Sequence, residues 1–442
     1  MIDLRIASSD LAALRSTVLG HKDERCAVLL ASRLEQGRRA LLVREIVLPE
    51  DADYARRSPI HAELRPDFVA RVTKRAKLAS LSLVFVHTHP GDQSPRFSRT
   101  DDEGERELAA FLVRRGLGEP HAALVLSDGG MCARLLGRPD MIRVVSVGDR
   151  LTVEFDAHRE EITAAPMFDR QVRAFGTEGQ KVLQELRVGI VGLGGTGSIA
   201  AQQLAHLGVR DFVLIDPDYL ELTNLNRVVG ASESDVGLPK SELARRHVQA
   251  IAPTARVRSV VGNVVHAAVT KELLSADIIL CCTDSHGSRS VIQQVAYQYL
   301  IPCIDVGSTI TTHEGQVTGV YGRVQLLGPD QACLWCSGLL SSEEVRRDMM
   351  SAFERKADPY IQGAHEPAPS VISLNGTVVS LAVTMLLGIV TAVPVGPRHL
   401  IYNASASTLR PARATPQDGC FICSRQGVFG RGDLQPLFAR QD

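Results

Sequence analysis

Two histidines that follow an apolar run form the first group of residues in this sequence that could do chemistry. The run Leu81–Val86 predicts a buried strand, and His87 and His89 come directly after it. Residues two apart on a strand point the same way, so both imidazoles can face one metal ion. Asp101, at the start of a predicted helix, would add a third ligand. Two imidazoles and a carboxylate suit a catalytic zinc ion, which keeps a fourth position open for water.

A bare His-x-His pair is also common on ordinary surface strands, so the pair alone is weak evidence for a metal. The longer string is more specific, because His87-Thr-His89-Pro90 is followed by seven residues and then by Ser98-Arg-Thr-Asp101. This string resembles the JAMM signature of the JAB/MPN metalloprotease family at every fixed position. The resemblance implies a zinc peptidase that cleaves a peptide or isopeptide bond just after the C-terminus of a ubiquitin-like protein.

The same resemblance implies roles for two residues around the zinc. Glu24 lies where the family has its general base, although by itself it would be a solvated residue at the start of a strand. Ser98 would stabilise the oxyanion, and it can also cap the helix that contains Asp101, with Glu103 in reach of further cap contacts. Some relatives lack the ligands and serve only as scaffolds. Because this chain has all of them, we expect activity.

A glycine-rich loop begins the second group. Val188–Val191 predicts a short buried strand, which is followed by the loop, by a helix over Ser198–Leu207 and by a strand that ends on Asp216. The loop glycines are Gly192, Gly194, Gly195 and Gly197. Such a βαβ unit binds nucleotides, because glycines let the backbone approach phosphates and the helix N-terminus faces their charge. The loop alone suggests NAD as readily as ATP.

The residues downstream of the loop favour ATP. Four further motifs follow in order: Asp216-Pro-Asp218, Thr223-Asn224-Leu-Asn226-Arg227, Gly237-Leu-Pro-Lys240 and Cys282-Thr-Asp284. This series resembles the ThiF-like adenylating superfamily, which includes ubiquitin-activating enzymes and the activators of sulfur-carrier proteins. The match begins at Phe168-Asp-Arg170-Gln171 and continues through Pro369–Gly376.

The second resemblance implies roles residue by residue. Asp216 would bind the ribose of ATP, and Asn224 would help to orient the phosphates. Arg227 and Lys240 would hold the triphosphate, where fixed cations stabilise the charge that develops during attack on the α-phosphorus. Asp284 would bind Mg²⁺, a cation that prefers oxygen ligands.

Two further implications concern assembly and a second metal. The family arginine that matches Arg170 reaches into the active site of a second protomer, which implies a homodimer. The CxxC pairs match the structural zinc site of the family, a closed tetrahedron of four thiolates. Its ligands would be Cys333, Cys336, Cys420 and Cys423.

The chain departs from many family members in the stretch after the first CxxC pair. Residues 337–419 contain no cysteine, although many relatives have one there that forms a thioester with the carrier. The polar part of this stretch, Ser341–Pro369, predicts a loop or a helix followed by a loop. The other cysteines, Cys26, Cys132, Cys281, Cys282 and Cys303, are predicted to be buried core residues. We therefore expect adenylation without a protein thioester.

Length and composition are those of an ordinary globular protein with two or three domains. The chain has 442 residues, of which 45% are hydrophobic, and a net charge of -1, which argues against nucleic acid or membrane as the main partner. The N-terminus lacks the layout of a signal peptide. Polar residues and a proline interrupt the apolar run Val378–Val395, which favours a core helix over a membrane span. We expect a cytoplasmic protein.

The two resemblances together predict a bifunctional enzyme. Residues 1–160 would form an α/β peptidase domain of the JAB/MPN type, and residues 165–430 a Rossmann-like ThiF-type adenylating domain with the four-cysteine zinc site. The expected partner is a ubiquitin-like or sulfur-carrier protein ending in Gly-Gly, together with a conjugating enzyme or a sulfurtransferase. Two alternatives stay open at this point: a non-catalytic scaffold that binds the carrier, and an NAD-dependent oxidoreductase with an accessory zinc domain.

Overall fold

The described residues form two compact units. The computed structural model describes residues 2–91, 94–158, 165–351, 354, 369–394 and 396–441. The first unit contains Met1–Glu161, Gln298–Leu300 and Arg425–Pro436, and the second contains Ile162–Tyr297, Ile301–Ser424 and Leu437–Asp442. The expected domain boundary between 160 and 165 lies largely outside the described residues, and so does most of the polar stretch predicted as a loop.

The first unit is built on one mixed sheet of eight strands in the order β10-β9-β1-β3-β2-β6-β7-β8, with a separate two-stranded sheet, β4-β5. The strands are β1 (Asp3–Ala7), β2 (Cys26–Leu34), β3 (Ala40–Val47), β4 (Tyr54–Ser58), β5 (His61–Leu64), β6 (Ser82–Thr88), β7 (Ala122–Ser127), β8 (Gly130–Leu135), β9 (Arg143–Val147) and β10 (Leu151–Phe155). The helices are α1 (Ser8–Val18), α2 (Pro66–Leu78) and α3 (Arg99–Arg114).

Central strands of this sheet contain continuous apolar runs, such as Ala27–Ala31 of β2, because both faces of the sheet are covered there. One hydrophobic cluster includes residues of α1 with one face of the sheet, and a second includes residues of α2 and α3 with the other face. β6 pairs antiparallel with β2 and parallel with β7, so its carboxyl end emerges between these two strands. The strand predicted over Leu81–Val86 is confirmed as β6, which begins one residue later and includes His87 and Thr88, and the helix predicted to contain Asp101 is confirmed as α3.

The first unit also contains a segment from far along the chain, Arg425–Pro436. Its Gly430 carbonyl accepts a hydrogen bond from the Ser32 hydroxyl at 2.5 Å, and the Asp433 carboxylate accepts one from the Glu35 N–H at 2.8 Å. The Arg425 guanidinium forms an ion pair with Asp10 at 2.5 Å. The segment is therefore packed against the β2–β3 hairpin and α1, although the sequence placed its first residues in the second domain.

The second unit has another sheet of eight strands, in the order β13-β12-β11-β14-β15-β16-β17-β18. The strands are β11 (Arg187–Val191), β12 (Asp211–Asp216), β13 (Arg256–Val261), β14 (Ile278–Cys281), β15 (Cys303–His313), β16 (Gln316–Leu327), β17 (His399–Asn403) and β18 (Thr408–Pro411). The helices are α4 (Asp169–Glu185, bent at Phe175 and Gly176), α5 (Gly197–Leu207), α6 (Lys240–Ile251), α7 (Ala267–Thr270), α8 (His286–Gln298), α9 (Ser342–Met349) and α10 (Ile372–Val390).

In this order, the strands from β13 to β15 are parallel and the remaining three are antiparallel to their neighbours. The chain order changes direction at β11, whose neighbours are β12 and β14. In open parallel sheets, ligands bind outside the carboxyl ends of the strands where the strand order reverses. The loops that leave β11, β12 and β14 are therefore the place to look for a site.

Helix α10 is the one described helix that is long and apolar enough to cross a bilayer by length and composition, with a mean hydropathy of 1.8. It packs on α5, β15 and β16 within the second unit. Buried residues lie along its whole length, from Leu374 to Val390, and they include Asn375. This burial favours the core helix that the sequence predicts.

A glycine in the Arg425–Pro436 segment gives a test of its packing. Gly432 has a φ of +50°, and a Cβ at this position would lie 2.2 Å from the carbonyl oxygen of Arg33. We expect Gly432→Ala to destabilise the first unit by about 1–3 kcal/mol, because both backbone strain and overpacking oppose the substitution. Faster amide hydrogen exchange in peptides from β2 would report it.

The control for this test is Gly104→Ala in α3, where no atom lies within 4 Å of the added Cβ. Since alanine favours a helix over glycine by roughly 1 kcal/mol, exchange in β2 should be unchanged or slower. Equal exchange in the two variants would show that the segment does not support the sheet.

Candidate functional sites

His87, His89 and Asp101 converge at the carboxyl end of β6. His87 lies in the strand, and His89 follows it, with its N–H donating to the Leu126 carbonyl of the neighbouring strand at 2.9 Å. The two Nε2 atoms are 3.2 Å apart, and His87 Nε2 lies 3.2 Å from Asp101 Oδ1. Donor atoms on a tetrahedral zinc ion with bonds of about 2.0–2.1 Å stand about 3.3 Å apart. These three side chains therefore fit one zinc ion.

The start of α3 brings Asp101 to the histidines. Ser98 is the N-cap: its hydroxyl accepts from the Asp101 N–H at 3.2 Å, and the Asp101 Oδ2 accepts from the Ser98 N–H at 2.6 Å. The expected cap is thus present, but its reciprocal contact is made by Asp101, while Glu103 is exposed. One carboxylate oxygen fixes the helix start and the other faces His87.

Glu24 lies just before β2, and its side chain is buried. Burial raises the pKa of its carboxyl; the charge of His87 opposes that rise, and the charge of Asp101 adds to it. His61 on β5 also lowers the pKa of Glu24, which places this histidine near the carboxyl. Burial would raise the pKa of Asp101, but the hydrogen bond and charge of His87 and the cap bonds to Ser98 lower it overall.

Sequence reasoning missed the side chains that support this cluster. Phe97 meets the His87 ring edge-on, with 6.5 Å between the ring centroids, and the Arg134 guanidinium lies 3.9 Å from the Phe97 centroid. Arg134 also forms ion pairs with Asp102 at 2.7 Å and with Glu105 at 3.0 Å. A single sequence offers no periodic signal for such a stack, since its members come from a loop, a helix and a strand.

In the second unit, the glycine loop runs from β11 into α5 in close contact with the residues after β14. A Cβ at Gly192 would lie 2.8 Å from the Cys282 carbonyl oxygen, and one at Gly197 would lie 1.8 Å from the Gly192 carbonyl oxygen. Among the described residues, no atom lies within 4 Å of a Cβ placed on Gly194. Two of the glycines are thus required by the protein's own backbone, and Gly194 leaves open space.

Two side chains lie directly beside Gly195. A Cβ at this position would lie 2.4 Å from Asn375 Nδ2 and 3.3 Å from Arg227 Cδ. The Asn375 side chain is held by the Ser308 hydroxyl at 3.0 Å and by the Ser370 hydroxyl at 3.1 Å. The structure therefore places Arg227 beside the loop, as expected. It also places Asn375 there; this residue belongs to a motif found in the sequence, but the sequence did not indicate this role.

Asp216, at the end of β12, has a carboxylate that holds two backbone segments. Its Oδ2 accepts from the Leu193 N–H at 2.5 Å and its Oδ1 from the Asp218 N–H at 2.8 Å. Burial raises its pKa, and these backbone hydrogen bonds act in the opposite direction. Lys240 Nζ lies 2.9 Å from Asp218 Oδ2. Asp216 and Lys240 are thus joined through Asp218 at one edge of the loop.

The remaining predicted nucleotide residues occupy different environments. Asn224 is buried and its Oδ1 accepts from the Glu221 N–H at 3.2 Å. Asp284 is exposed in the turn between β14 and α8. Arg170 is exposed in the first turn of α4, and its expected place in the site of a second protomer stays a prediction.

The four cysteines of the CxxC pairs form a second cluster. Cys333 Sγ lies 3.6 Å from Cys420 Sγ, and Cys336 Sγ lies 3.6 Å from Cys423 Sγ. Sulfur atoms on a tetrahedral zinc ion with bonds of about 2.3 Å stand about 3.8 Å apart. The Gln417 N–H also donates to Cys336 Sγ at 3.4 Å. The cluster could therefore hold a structural zinc ion.

Most of the other cysteines are core residues, as the sequence predicts. Cys26, Cys132, Cys281 and Cys303 are buried in strands. Burial raises the pKa of the Cys26 thiol to about 12, so that it is not a thiolate near neutral pH. Cys282 is a correction: it follows β14 rather than belonging to it, and it is only partly buried because it borders the glycine loop.

Comparison with known proteins agrees with this geometry. The model of the ThiF family matches residues 168–422, the part of the chain that contains the glycine loop and three of the four clustered cysteines, Cys333, Cys336 and Cys420. The chain belongs to the ThiF family. A second model, of prokaryotic homologs of the JAB domain, matches residues 8–137, which include the histidine pair and Asp101. The expected fusion of a JAB-like domain with a Rossmann-like ThiF domain is confirmed.

Individual relatives are similar to part of the chain. The chain is 28% identical over 260 residues to the molybdopterin-synthase adenylyltransferase of Escherichia coli, which is 58% of this chain and 96% of that protein. It is 34% identical over 161 residues to the SAMP-activating enzyme E1 of Haloferax volcanii, 36% of this chain and 56% of that protein. A crystal structure of E. coli MccB with ATP is similar with a TM-score of 0.46 and 18% identity, over 59% of this chain and 75% of that one.

The two clusters predict the metal content of the purified chain. We expect two zinc ions per chain by elemental analysis, and one after either His87→Ala or Cys336→Ser, because each substitution removes one ligand from a different cluster. His61→Ala is the matched control, since His61 lies near Glu24 but outside the ligand cluster. Two zinc ions retained in the His87 variant would contradict a metal site at β6.

A substitution at Gly194 distinguishes contact with a ligand from a requirement of the fold. Because its Cβ position is free of protein atoms, Gly194→Ala should leave thermal unfolding unchanged. If phosphates approach the backbone here, the methyl group should cost about 1–3 kcal/mol of binding, measured as weaker binding of ATP by calorimetry. Gly376→Ala, which also meets no atom within 4 Å, is the control. Equal ATP binding by both variants would rule out phosphate contact at Gly194.

Proposed function

We propose that this chain adenylates the C-terminal carboxylate of a ubiquitin-like or sulfur-carrier protein with MgATP, and that its JAB-like unit hydrolyses a bond at the same C-terminus. The arrangement of Gly194, Arg227, Asp216 and Lys240 around one loop, in a chain of the ThiF family, carries the first half. The relatives named as adenylyltransferases and activating enzymes support it. Family membership favours this function over an NAD-dependent oxidoreductase.

In the adenylating unit, a carboxylate oxygen of the carrier would attack the α-phosphorus of ATP. A carbon–oxygen–phosphorus anhydride forms, the bond from the α-phosphorus to its bridging oxygen breaks, and pyrophosphate leaves with the electron pair. Arg227 beside Gly195, and Lys240 beside Asp218, would neutralise the phosphate charge that develops. Asp216 keeps its two backbone partners and can still accept from ribose hydroxyls. Asp284 would hold Mg²⁺, which supplies charge neutralisation on the phosphates.

The chain has no cysteine between residues 337 and 419, which bears on the fate of the adenylate. The most buried thiols are poor nucleophiles because burial raises their pKa. We therefore propose that the carrier leaves as its acyl-adenylate, which suits delivery to a sulfurtransferase. Conjugation to another protein would need a conjugating enzyme that accepts the adenylate directly.

In the JAB-like unit, His87, His89 and Asp101 would hold a zinc ion, which polarises the scissile carbonyl and activates water. Glu24, with its raised pKa, would accept a proton from the attacking water and pass it to the leaving amine as the carbon–nitrogen bond breaks. The Ser98 hydroxyl, which accepts a bond from the Asp101 N–H, would donate its own proton to the oxyanion. The intact ligand set favours hydrolysis over a scaffold role.

Paired variants test both halves of this proposal in the full chain. With MgATP and a small protein ending in Gly-Gly, Asp284→Ala should lower pyrophosphate exchange by about 100-fold or more, since a charge-neutralising group is lost. It should leave C-terminal hydrolysis of an extended carrier unchanged. Glu24→Gln should do the reverse, with about a 100-fold loss of hydrolysis.

Intact mass spectrometry of the carrier reads both reactions in one sample. A lost C-terminal tail reports hydrolysis, and an added AMP reports activation. Loss of both reactions in either single variant would contradict two separate catalytic sites, and an unchanged carrier with the wild-type chain would contradict the proposed function.

A further inference from the structure

The turn that contains Asp284 is fixed from two sides. On one side, the Cys282 carbonyl oxygen approaches Gly192 and accepts a hydrogen bond from the Thr196 hydroxyl at 3.2 Å. On the other side, residues just after Asp284 contact helix α9. The glycine loop and α9 therefore lie at opposite ends of the same short stretch of chain.

Asp348 makes the contact on the α9 side. Its Oδ2 accepts from the Ser285 hydroxyl at 2.7 Å and from the Gly287 N–H at 3.0 Å. A Cβ on Gly287 would lie 2.6 Å from Asp348 Cβ, so only glycine lets α9 come this close. The carboxylate thereby satisfies an N–H group at the start of α8, where the helix dipole favours negative charge.

The hydrogen bonds of Asp348 connect to further hydrogen bonds made by the residues on both sides of Asp284. Ser285 Oγ accepts from the Ser288 N–H at 3.1 Å, and Thr283 Oγ1 accepts from the Ser285 N–H at 3.2 Å. Asp284 itself is exposed between these bonded neighbours. The backbone at Asp284 is thus held by a hydrogen-bond network that ends at Asp348.

Contacts at both ends hold α9 in place. The Ser341 N–H donates to His286 Nδ1 at 3.1 Å, and Arg440 Nη1 donates to the Met350 carbonyl at 3.0 Å. Asp348 lies in the last turn of α9, within two residues of Met350. The position of the helix and the position of the Asp284 turn are therefore linked through one carboxylate.

We propose that Asp348 is a positioning residue for the metal–nucleotide site: it fixes the Asp284 turn and thereby couples the docking of α9 to the binding of magnesium nucleotide. This inference rests on the proposed adenylating function. Because coupling between two events is reciprocal, a docked α9 strengthens nucleotide binding, and bound nucleotide holds α9 docked.

Equilibrium binding of a fluorescent ATP analogue to the full chain, with Mg²⁺ and with EDTA, tests the first direction. We expect Asp348→Ala to weaken Mg²⁺-dependent binding by about five- to tenfold, a typical size for such coupling, and to leave binding in EDTA nearly unchanged. Asp348→Asn keeps an oxygen that can accept both hydrogen bonds and should stay within about twofold of wild type. Glu343→Ala, at an exposed position of the same helix, is the matched control.

Hydrogen exchange of α9 peptides tests the reverse direction without any turnover. Magnesium nucleotide should slow exchange in α9 of the wild type and of Glu343→Ala, but not of Asp348→Ala. Equal loss of binding with and without Mg²⁺ in Asp348→Ala would indicate a merely structural role and overturn the inference. So would wild-type binding and protection in that variant. A wild-type chain that binds no magnesium nucleotide would instead contradict the proposed function itself.

Discussion

Backbone contact between the glycine loop and the end of β14 is the constraint on which the second unit depends. At Gly197 the carbonyl of Gly192 occupies the space of a side chain, and at Gly192 the Cys282 backbone does the same. The Asp216 carboxylate then secures the loop at Leu193. A surface made of main chain is rigid, because no rotamer change can reshape it.

Sequence patterns were sufficient to predict the elements and motifs whose structure depends on a single segment of the chain. The strand predicted over Val188–Val191 and the helix predicted over Ser198–Leu207 are confirmed as β11 and α5, each beginning one residue earlier, because the glycine loop separates the two apolar segments. The histidine pair and the CxxC pairs were found for a similar reason: ligand spacing is local. The structure adds that ligands from distant segments do converge to distances suited to zinc.

Other elements depend on partners far away in the sequence and gave no local signal. Strand β1 buries Asp3 and Arg5, which is possible because Arg143 and Arg38 neutralise the Asp3 carboxylate at 2.9 and 3.1 Å. The alternation of polar and apolar residues in this five-residue strand would indicate a half-buried strand, and nothing local indicates that its polar face is covered. The role of Asn375 over Gly195 was hidden for the same reason, since it follows from how α10 packs.

The packing of Arg425–Pro436 into the first unit has a consequence for biosynthesis. A ribosome translates the strands of that unit first, yet the Ser32 and Glu35 partners in this segment are made about four hundred residues later. Between these times the β2–β3 hairpin has a polar edge without its native covering, and most of the ThiF unit has already been synthesised. Neither unit has all of its segments until the residues after 424 are made, because Arg425–Pro436 belongs to the first unit and Leu437–Asp442 to the second.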